Sequence, residues 1–148
     1  AVSREVADAT TAILTGVIDG SGSRTGKDMS LGRDAAGKTG TTDSNAAVWF
    51  AGFTPDLAAA VWSGDPRGGF KHPMDNVTIG GRYYDEVHGS SIPGPIWRDA
   101  MDGALGDNAK SFDLQAKYDL KQARRGGYNG GDGGGNSYGG GYNRYYGR

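Results

Sequence analysis

A short stretch, 32-GRDAAGKTGTT-42, combines one lysine with glycines and three threonine hydroxyls. A cation beside hydroxyl donors can bind an anion, and glycine lets a ligand approach the backbone closely. Two motifs fit this stretch. Residues 32–39 match G-x-x-x-x-G-K-[ST], which binds phosphates in P-loop proteins. Residues 38–40 match K-T-G, one of three motifs that occur together in a class of serine enzymes.

The context of the lysine separates the two motifs. A P-loop requires a buried apolar strand before it and a helix immediately after it. Residues 25–31, TGKDMSL, are too polar for a buried strand, and residues 40–45, GTTDSN, place glycine and β-branched threonine where the helix would begin. Aromatic, strand-like segments follow instead. The sequence therefore favours K-T-G on an edge strand that leads into a hairpin, and we do not expect nucleotide binding.

The composition divides the chain into an acidic body and a basic tail. The body, 1–120, carries 11 basic and 16 acidic residues, whereas 121–148 carries 5 basic and 1 acidic residue. Eleven of the 23 residues from Gly126 onward are glycine, with no aliphatic side chain to bury. We therefore predict a structured region over 1–115, then a linker and a disordered Gly/Tyr/Asn-rich tail over 116–148. There is no cysteine, which excludes disulfides and thiol chemistry.

Apolar periodicity predicts an α+β fold, an antiparallel sheet with flanking helices. Ser3 is the predicted N-cap of a first helix that ends at Gly20. The apolar positions of this helix are Val6, Ile13 and Val17, with a parallel row of Leu14 and Ile18. Strands 46–56 and 57–66 are expected to pair through the Thr54-Pro55-Asp56 turn. The aromatic residues of these strands are predicted to form the core of the sheet: Trp49, Phe50, Phe53 and Trp62.

The remainder of the body is predicted to be a long polar loop and a closing helix. The loop covers 67–94, and the helix covers 95–106 with Pro95 at its first position. The helix should pack on the hairpin through an apolar face formed by Ile96, Trp97, Ala100, Met101, Ala104 and Leu105. Asp43 is expected in a turn, and Asp99 and Asp102 on the solvent side of the helix. His72 and His88 are expected to be exposed and without function, since their spacing suggests no metal site.

Several motifs in order resemble one family. The run from Gly37 to Pro66, GKTGTTDSNAAVWFAGFTPDLAAAVWSGDP, is similar to the end of the transpeptidase domain of bifunctional (class A) penicillin-binding proteins. That family shows G-K-T-G-T-T, then W-F-x-G-[YF]-T-P-x-L, then V-W-x-G. The closing 94-GPIWRDAM-101 resembles the family's A-P-I-W-x-x-[FM]-M, and 14-LTGVIDGSG-22 resembles its L-x-x-V-x-x-G-T-G. The resemblance implies a partial serine β-lactamase/transpeptidase-like fold.

The resemblance implies acyl transfer through a serine, on peptidoglycan stem peptides ending in D-Ala-D-Ala and on β-lactams that mimic them. Lys38 would supply positive potential and help to set the protonation of the catalytic groups. The hydroxyls of Thr39 and Thr41 would hold the terminal carboxylate of the substrate. The backbone N–H of Thr41 would be an oxyanion-hole donor, and Gly40 would keep the strand open to substrate. No cofactor and no metal are implied.

The chain lacks two motifs that the family mechanism requires, the nucleophilic serine in S-x-x-K and the S-x-N motif. No serine is followed three positions later by lysine, and Asp43-Ser44-Asn45 has the wrong order for S-x-N. We therefore expect the chain to correspond to the C-terminal part of the domain and to be inactive alone. The expected partner is the N-terminal half of the domain, with the anchor further upstream and the protein on the extracytoplasmic face of a bacterial membrane.

Two other functions fit parts of the sequence. The chain could be a non-catalytic or complementing subunit that pairs with a half carrying the serine. The tail, 124-RRGGYNGGDGGGNSYGGGYNRYYGR-148, could also bind nucleic acid or support assembly, because arginine and tyrosine spaced by glycine can stack on bases. The tail contains a single R-G-G, and the net charge of 121–148 is only +4 beside an acidic body, so nucleic acid is not the expected partner.

Overall fold

The computed structural model describes residues 2–19, 27–107 and 109–115. The predicted tail, 116–148, and the predicted helix stop at Gly20 lie outside the described residues. The first element is helix α1, Arg4–Ile18. Ser3 caps it as predicted, because its side chain accepts a hydrogen bond from the N–H of Val6 at 3.3 Å.

The buried side of α1 carries Asp8, Ala12 and Ile18, whereas Val6 and Ile13 are 52% and 72% exposed. Of the two apolar rows of this helix, the row of Leu14 and Ile18 joins the core through Ile18. Apolar residues lie on both sides of this helix, so periodicity alone could not determine which side packs.

Three antiparallel strands form the main sheet in the order β1-β2-β3. They are β1, Ala36–Thr41, β2, Ala47–Phe53, and β3, Ala58–Gly64. The predicted edge strand and hairpin are thus confirmed, with slightly shorter strands. Between β2 and β3, the Thr54 hydroxyl accepts hydrogen bonds from the N–H groups of Asp56 and Leu57 at 3.3 and 3.2 Å, which closes the turn.

The segment predicted to be a loop contains a second hairpin, β4, Asp75–Ile79, and β5, Arg82–Glu86. The loop prediction for 67–94 is wrong here. Gly80 and Gly81 make the turn with φ of 59° and 79°, the left-handed geometry of a two-residue hairpin loop. The hairpin packs through Val77 and Tyr84 onto a small cluster formed by Val48, Met74 and Val87. Most residues of these two strands are polar, so apolar periodicity gave no indication of the hairpin.

The closing helix, α2, spans Pro93–Ala104, so Pro93 rather than Pro95 opens it. Its Trp97 is fully buried, and its ring is tilted by 53° against the Phe50 ring with centroids 5.0 Å apart. The Trp97 Nε1–H donates a hydrogen bond to the Gly52 carbonyl at 3.3 Å. Phe50, Trp97 and Met101 form the main core together with Met29 and Ile18. The helix therefore packs on the hairpin, as predicted, but Ile96 of the predicted face is 49% exposed.

The main sheet has one packed face and one open face. Val48 and Phe50 alternate with Trp49 along β2, and alternate side chains lie on opposite faces. Trp49 and Trp62 are paired across β2 and β3 and are 41% and 49% exposed. The prediction that these two tryptophans belong to the core is therefore wrong, while Phe50 is confirmed. Within the described residues, both helices contact the sheet from the side of Phe50.

The segment after α2, 109–115, returns across the fold. The Phe112 ring contacts the Phe53 ring edge to face at 5.6 Å, and its N–H donates to Asp34 Oδ2 at 3.2 Å. Arg4 donates to Asp113 Oδ2 at 2.9 Å, and this contact raises the pKa of the guanidinium. The segment thereby links α1 to the sheet. In the described part of the chain, no helix is both long and apolar enough to span a membrane.

Candidate functional site

The K-T-G residues lie on β1, which is an edge strand of the main sheet and has a free edge in the described part of the chain. Lys38 pairs with Ala51, Thr39 with Phe50, and Thr41 with Val48. The structure therefore brings all four predicted site residues, Lys38, Thr39, Gly40 and Thr41, onto one exposed edge strand. It does not place a helix N-terminus after Lys38; a short 3₁₀ turn, Asp43–Asn45, follows, which agrees with the turn predicted at Asp43 and not with a P-loop.

Backbone alternation determines which groups of β1 point to the free edge. The N–H of Thr42 points towards β2, since it donates to the Ala47 carbonyl at 3.0 Å. Successive residues of a strand direct their N–H and C=O groups to opposite sides. The N–H groups of Thr41 and Thr39 therefore point away from β2, into the space beside the sheet. An extended peptide or an oxyanion can reach them there.

The side chains of the motif divide between the two faces of the sheet. Lys38 and Gly40 share the open face with Trp49, whereas Thr39 and Thr41 share the packed face. The Lys38 ammonium nevertheless bends back to the edge, where it donates to Thr39 Oγ1 at 3.2 Å and to the Thr39 carbonyl at 3.1 Å. A cation and a hydroxyl thus lie next to each other at this edge, an arrangement that can bind a carboxylate.

Gly40 lies opposite the first exposed tryptophan. A Cβ at Gly40 would lie 3.3 Å from the Trp49 Cβ, which is tighter than ordinary contact. Because Gly40 has no side chain, it leaves space for Trp49 and also lets a ligand approach the strand backbone.

The turn after β1 is held by a residue that the sequence analysis did not single out. Asn45 is 7% exposed and has a positive φ of 49°, and Ser44 before it has a φ of 54°. The Asn45 side chain donates to the Met74 carbonyl at 3.0 Å and to Asp75 Oδ1 at 2.5 Å. It thereby ties the end of the motif strand to β4. The sequence signal for this role was an asparagine in the turn, because asparagine tolerates the left-handed backbone conformation.

The two histidines do not join this edge in a metal-binding group. His88 is exposed, with Nδ1 3.8 Å from Glu86 Oε1, while His72 is half-buried rather than exposed as predicted. Over the described ranges, no three His, Asp or Glu side chains cluster as a metal ion would require. Asp99 and Asp102 are exposed on α2, as predicted.

The chain resembles curated proteins named Penicillin-binding protein 1A. It is 36% identical to that of Mycobacterium tuberculosis and 33% identical to that of Mycolicibacterium smegmatis, each over 135 residues and 87% of this chain. It is 42% identical over 76 residues, 51% of this chain, to that of Neisseria meningitidis serogroup A. These matches span 14%, 15% and 8% of the relatives' lengths. No family model matches the chain.

Proposed function

Because the chain is a transpeptidase-related region of the class A penicillin-binding protein family, we propose that its β1 edge is the substrate-binding wall of a D,D-transpeptidase site. The reaction would cross-link peptidoglycan by acyl transfer from stem peptides ending in D-Ala-D-Ala. β-Lactams would bind as mimics of those peptides. The single observation that carries the proposal is the edge of β1, where the Thr41 N–H points away from β2 and, two residues before it, the Thr39 hydroxyl accepts a hydrogen bond from the Lys38 ammonium.

Each group has a distinct role in the proposal. The Thr41 N–H donates to the oxyanion of the tetrahedral intermediate, where loss of one donor typically costs about 10²–10³ in rate. The hydroxyls of Thr39 and Thr41 donate to the substrate's terminal carboxylate, and Gly40 leaves space for the substrate backbone. Lys38 supplies positive potential at the same carboxylate and at the catalytic groups.

The site requires a nucleophile from residues outside this sequence, since no serine lies in S-x-x-K. We propose that the open face of the sheet receives the segment that carries it. Trp49 and Trp62 are exposed there beside Lys38, and contiguous exposed aromatic surface marks an interaction site. A serine-bearing segment seated on this face would meet Lys38 directly. The same surface serves whether the segment belongs to the same polypeptide or to a complementing subunit.

The substrate places the proposed reaction outside the cytoplasm. Peptidoglycan stem peptides are cross-linked in the cell wall, so the site would act on the extracytoplasmic face of a bacterial membrane. The proposed partners are therefore the stem peptide, β-lactams and the serine-bearing half of the domain.

Acylation kinetics in a completed domain test this proposal. Residues 1–115 replace the matching segment of the M. tuberculosis relative, and labelling by a fluorescent penicillin is followed in time. Lys38→Ala is expected to slow acylation about 10²–10³-fold, a typical loss when one preorganised electrostatic group is removed from an active site. Lys71→Ala, an exposed lysine in the 65–73 loop, is the matched control and should leave the rate unchanged. Equal rates for the two variants would reject the proposed site.

A further inference from the structure

The turn that precedes α2 packs against the motif strand. This turn, His88–Ser91, is closed by the Ser91 hydroxyl, which accepts from the His88 N–H and donates to the His88 carbonyl, each at 2.9 Å. The Gly94 N–H of α2 donates to the Gly89 carbonyl at 2.8 Å. These hydrogen bonds connect the turn to the start of α2.

Gly89 is buried at the point of contact with β1. A Cβ at this position would lie 2.9 Å from Thr39 Cβ and 3.1 Å from Thr39 Cγ2, and closer still to the Trp49 carbonyl oxygen. Real Cβ atoms essentially never approach other atoms so closely. Only glycine therefore allows the turn to rest on Thr39 without moving the strand.

This contact constrains the side chain of Thr39. Threonine carries a methyl and a hydroxyl on the same carbon, so placing one group places the other. The Cγ2 methyl lies against Gly89, and Oγ1 lies 3.2 Å from the Lys38 ammonium. The packing of the methyl on Gly89 thus keeps the hydroxyl at the free edge, next to the cation.

We propose that Gly89 is a positioning residue that holds the Thr39 hydroxyl in place to recognise the substrate's carboxylate. The role of the Thr39 hydroxyl in this inference rests on the proposed function. The orientation of the hydroxyl rests on the packing alone. The α2 helix, through its hydrogen bond to Gly89, is the fixed support of this arrangement.

The orientation is tested in the 148-residue chain itself. Three-bond couplings to the Thr39 methyl carbon report its χ1 by NMR. Gly89→Ala is expected to replace the single Thr39 rotamer by an average or by another rotamer. Gly103→Ala is the matched control, because a Cβ there meets no atom within 4 Å and glycine is disfavoured in a helix interior. An unchanged single rotamer in Gly89→Ala would overturn the inference.

A second variant covers the case in which Gly89→Ala does not fold. Thr39→Ser keeps the hydroxyl but removes the methyl that rests on Gly89. The Hα–Hβ couplings of residue 39 in this variant should show χ1 averaging. The NMR chemical shift of the buried Trp97 indole N–H should not change. A serine fixed in one rotamer would show that the methyl contact does not orient the hydroxyl, and would equally overturn the inference.

The functional consequence is measured in the completed domain described above. Acylation by a penicillin is compared with acylation by its methyl ester, which lacks the carboxylate. Gly89→Ala should slow the free acid about 10- to 100-fold, as small misplacements do, and should leave the ester nearly unaffected. Equal slowing of both would indicate a structural defect and reject the positioning role. An unmodified chimera that fails to acylate would instead reject the proposed function and leave the NMR result standing.

Discussion

The rings of Trp49 and Trp62 meet edge to face across β2 and β3, with centroids 6.5 Å apart, and both side chains remain exposed. Their neighbour Phe50, one position along β2, is fully buried against Trp97. Within the described residues, the sheet is therefore covered on one face and open on the other. Lys38 lies on the open face, where we propose that the serine-bearing segment binds.

Removing the exposed tryptophans should cost little stability in the 148-residue chain. The double variant Trp49→Ser/Trp62→Ser loses the edge-to-face pair, which contributes about 0.5–1.5 kcal/mol. Phe50→Ala, from the packed face, should cost about 3–5 kcal/mol. Urea unfolding followed by circular dichroism measures both. A double variant as unstable as Phe50→Ala would show that the tryptophans are part of the core.

These tryptophans also show what the sequence could and could not predict. The apolar, aromatic-rich composition of 46–56 predicted a strand, and its aromatic residues were predicted to form the core of the sheet. Which face is covered depends on where α1 and α2 pack, and no local pattern encodes that. The same reason explains α1, where apolar residues occur on both sides and Val6 proved to be exposed.

Asn45 should contribute to stability through its side-chain hydrogen bonds. Asn45→Ala leaves the Met74 carbonyl and Asp75 without this buried donor, which should cost about 1–3 kcal/mol. Asn76→Ala is the matched control, because it makes the same change at a left-handed φ of 51° on an exposed residue without these buried bonds. Thermal unfolding of both variants gives the difference. Equal destabilisation would mean that backbone geometry, not the Asn45 side chain, holds the turn.

Asp65 should titrate below the usual range of a carboxyl group. Side-chain and backbone hydrogen bonds from Arg67 lower its pKa from the ordinary value of about 3.9. The resulting stabilisation of the folded state is present at a pH above the ordinary pKa of a carboxyl group. It is lost as the pH falls from there towards the lower pKa of Asp65 in the folded state. In Arg67→Gln, the NMR titration midpoint of the Asp65 carboxyl carbon should rise. Arg82→Gln is the control and should leave this midpoint unchanged. An unchanged midpoint in Arg67→Gln would contradict the role of Arg67.

The segment 109–115 should be part of the folded unit. Phe112 packs on Phe53, and burial of an aromatic side chain contributes about 1.5–3 kcal/mol. A chain ending at residue 106 should therefore melt at a lower temperature than one ending at 115, by roughly 4–8 °C for each kcal/mol lost. The 1–115 and 1–148 chains should melt together. Identical melting of 1–106 and 1–115 would contradict the packing of this segment.

The sequence predicted the candidate site better than it predicted the residues that hold the site in place, Asn45 and Gly89. The motif Lys38–Thr41 and the following hairpin have strong local signals, and the structure places the motif on an edge strand as the sequence indicated. Asn45 and Gly89 support that strand through contacts with residues 29 and 50 positions away. Asparagine and glycine in turns are common, so only the folded structure distinguishes these two from the others. The second hairpin was missed because most of its strand residues are polar.

Covalent labelling of the isolated chain and of the completed domain tests the central claim most directly. The chain 1–148 and the chimera carrying residues 1–115 in the M. tuberculosis relative are incubated with the same fluorescent penicillin, and the adduct is located by mass spectrometry. We predict no adduct on the isolated chain. In the chimera we predict one adduct on a serine outside residues 1–115, which forms about 10²–10³-fold more slowly in Lys38→Ala. An adduct on the isolated chain, or a correctly folded chimera that never acylates, would contradict the account.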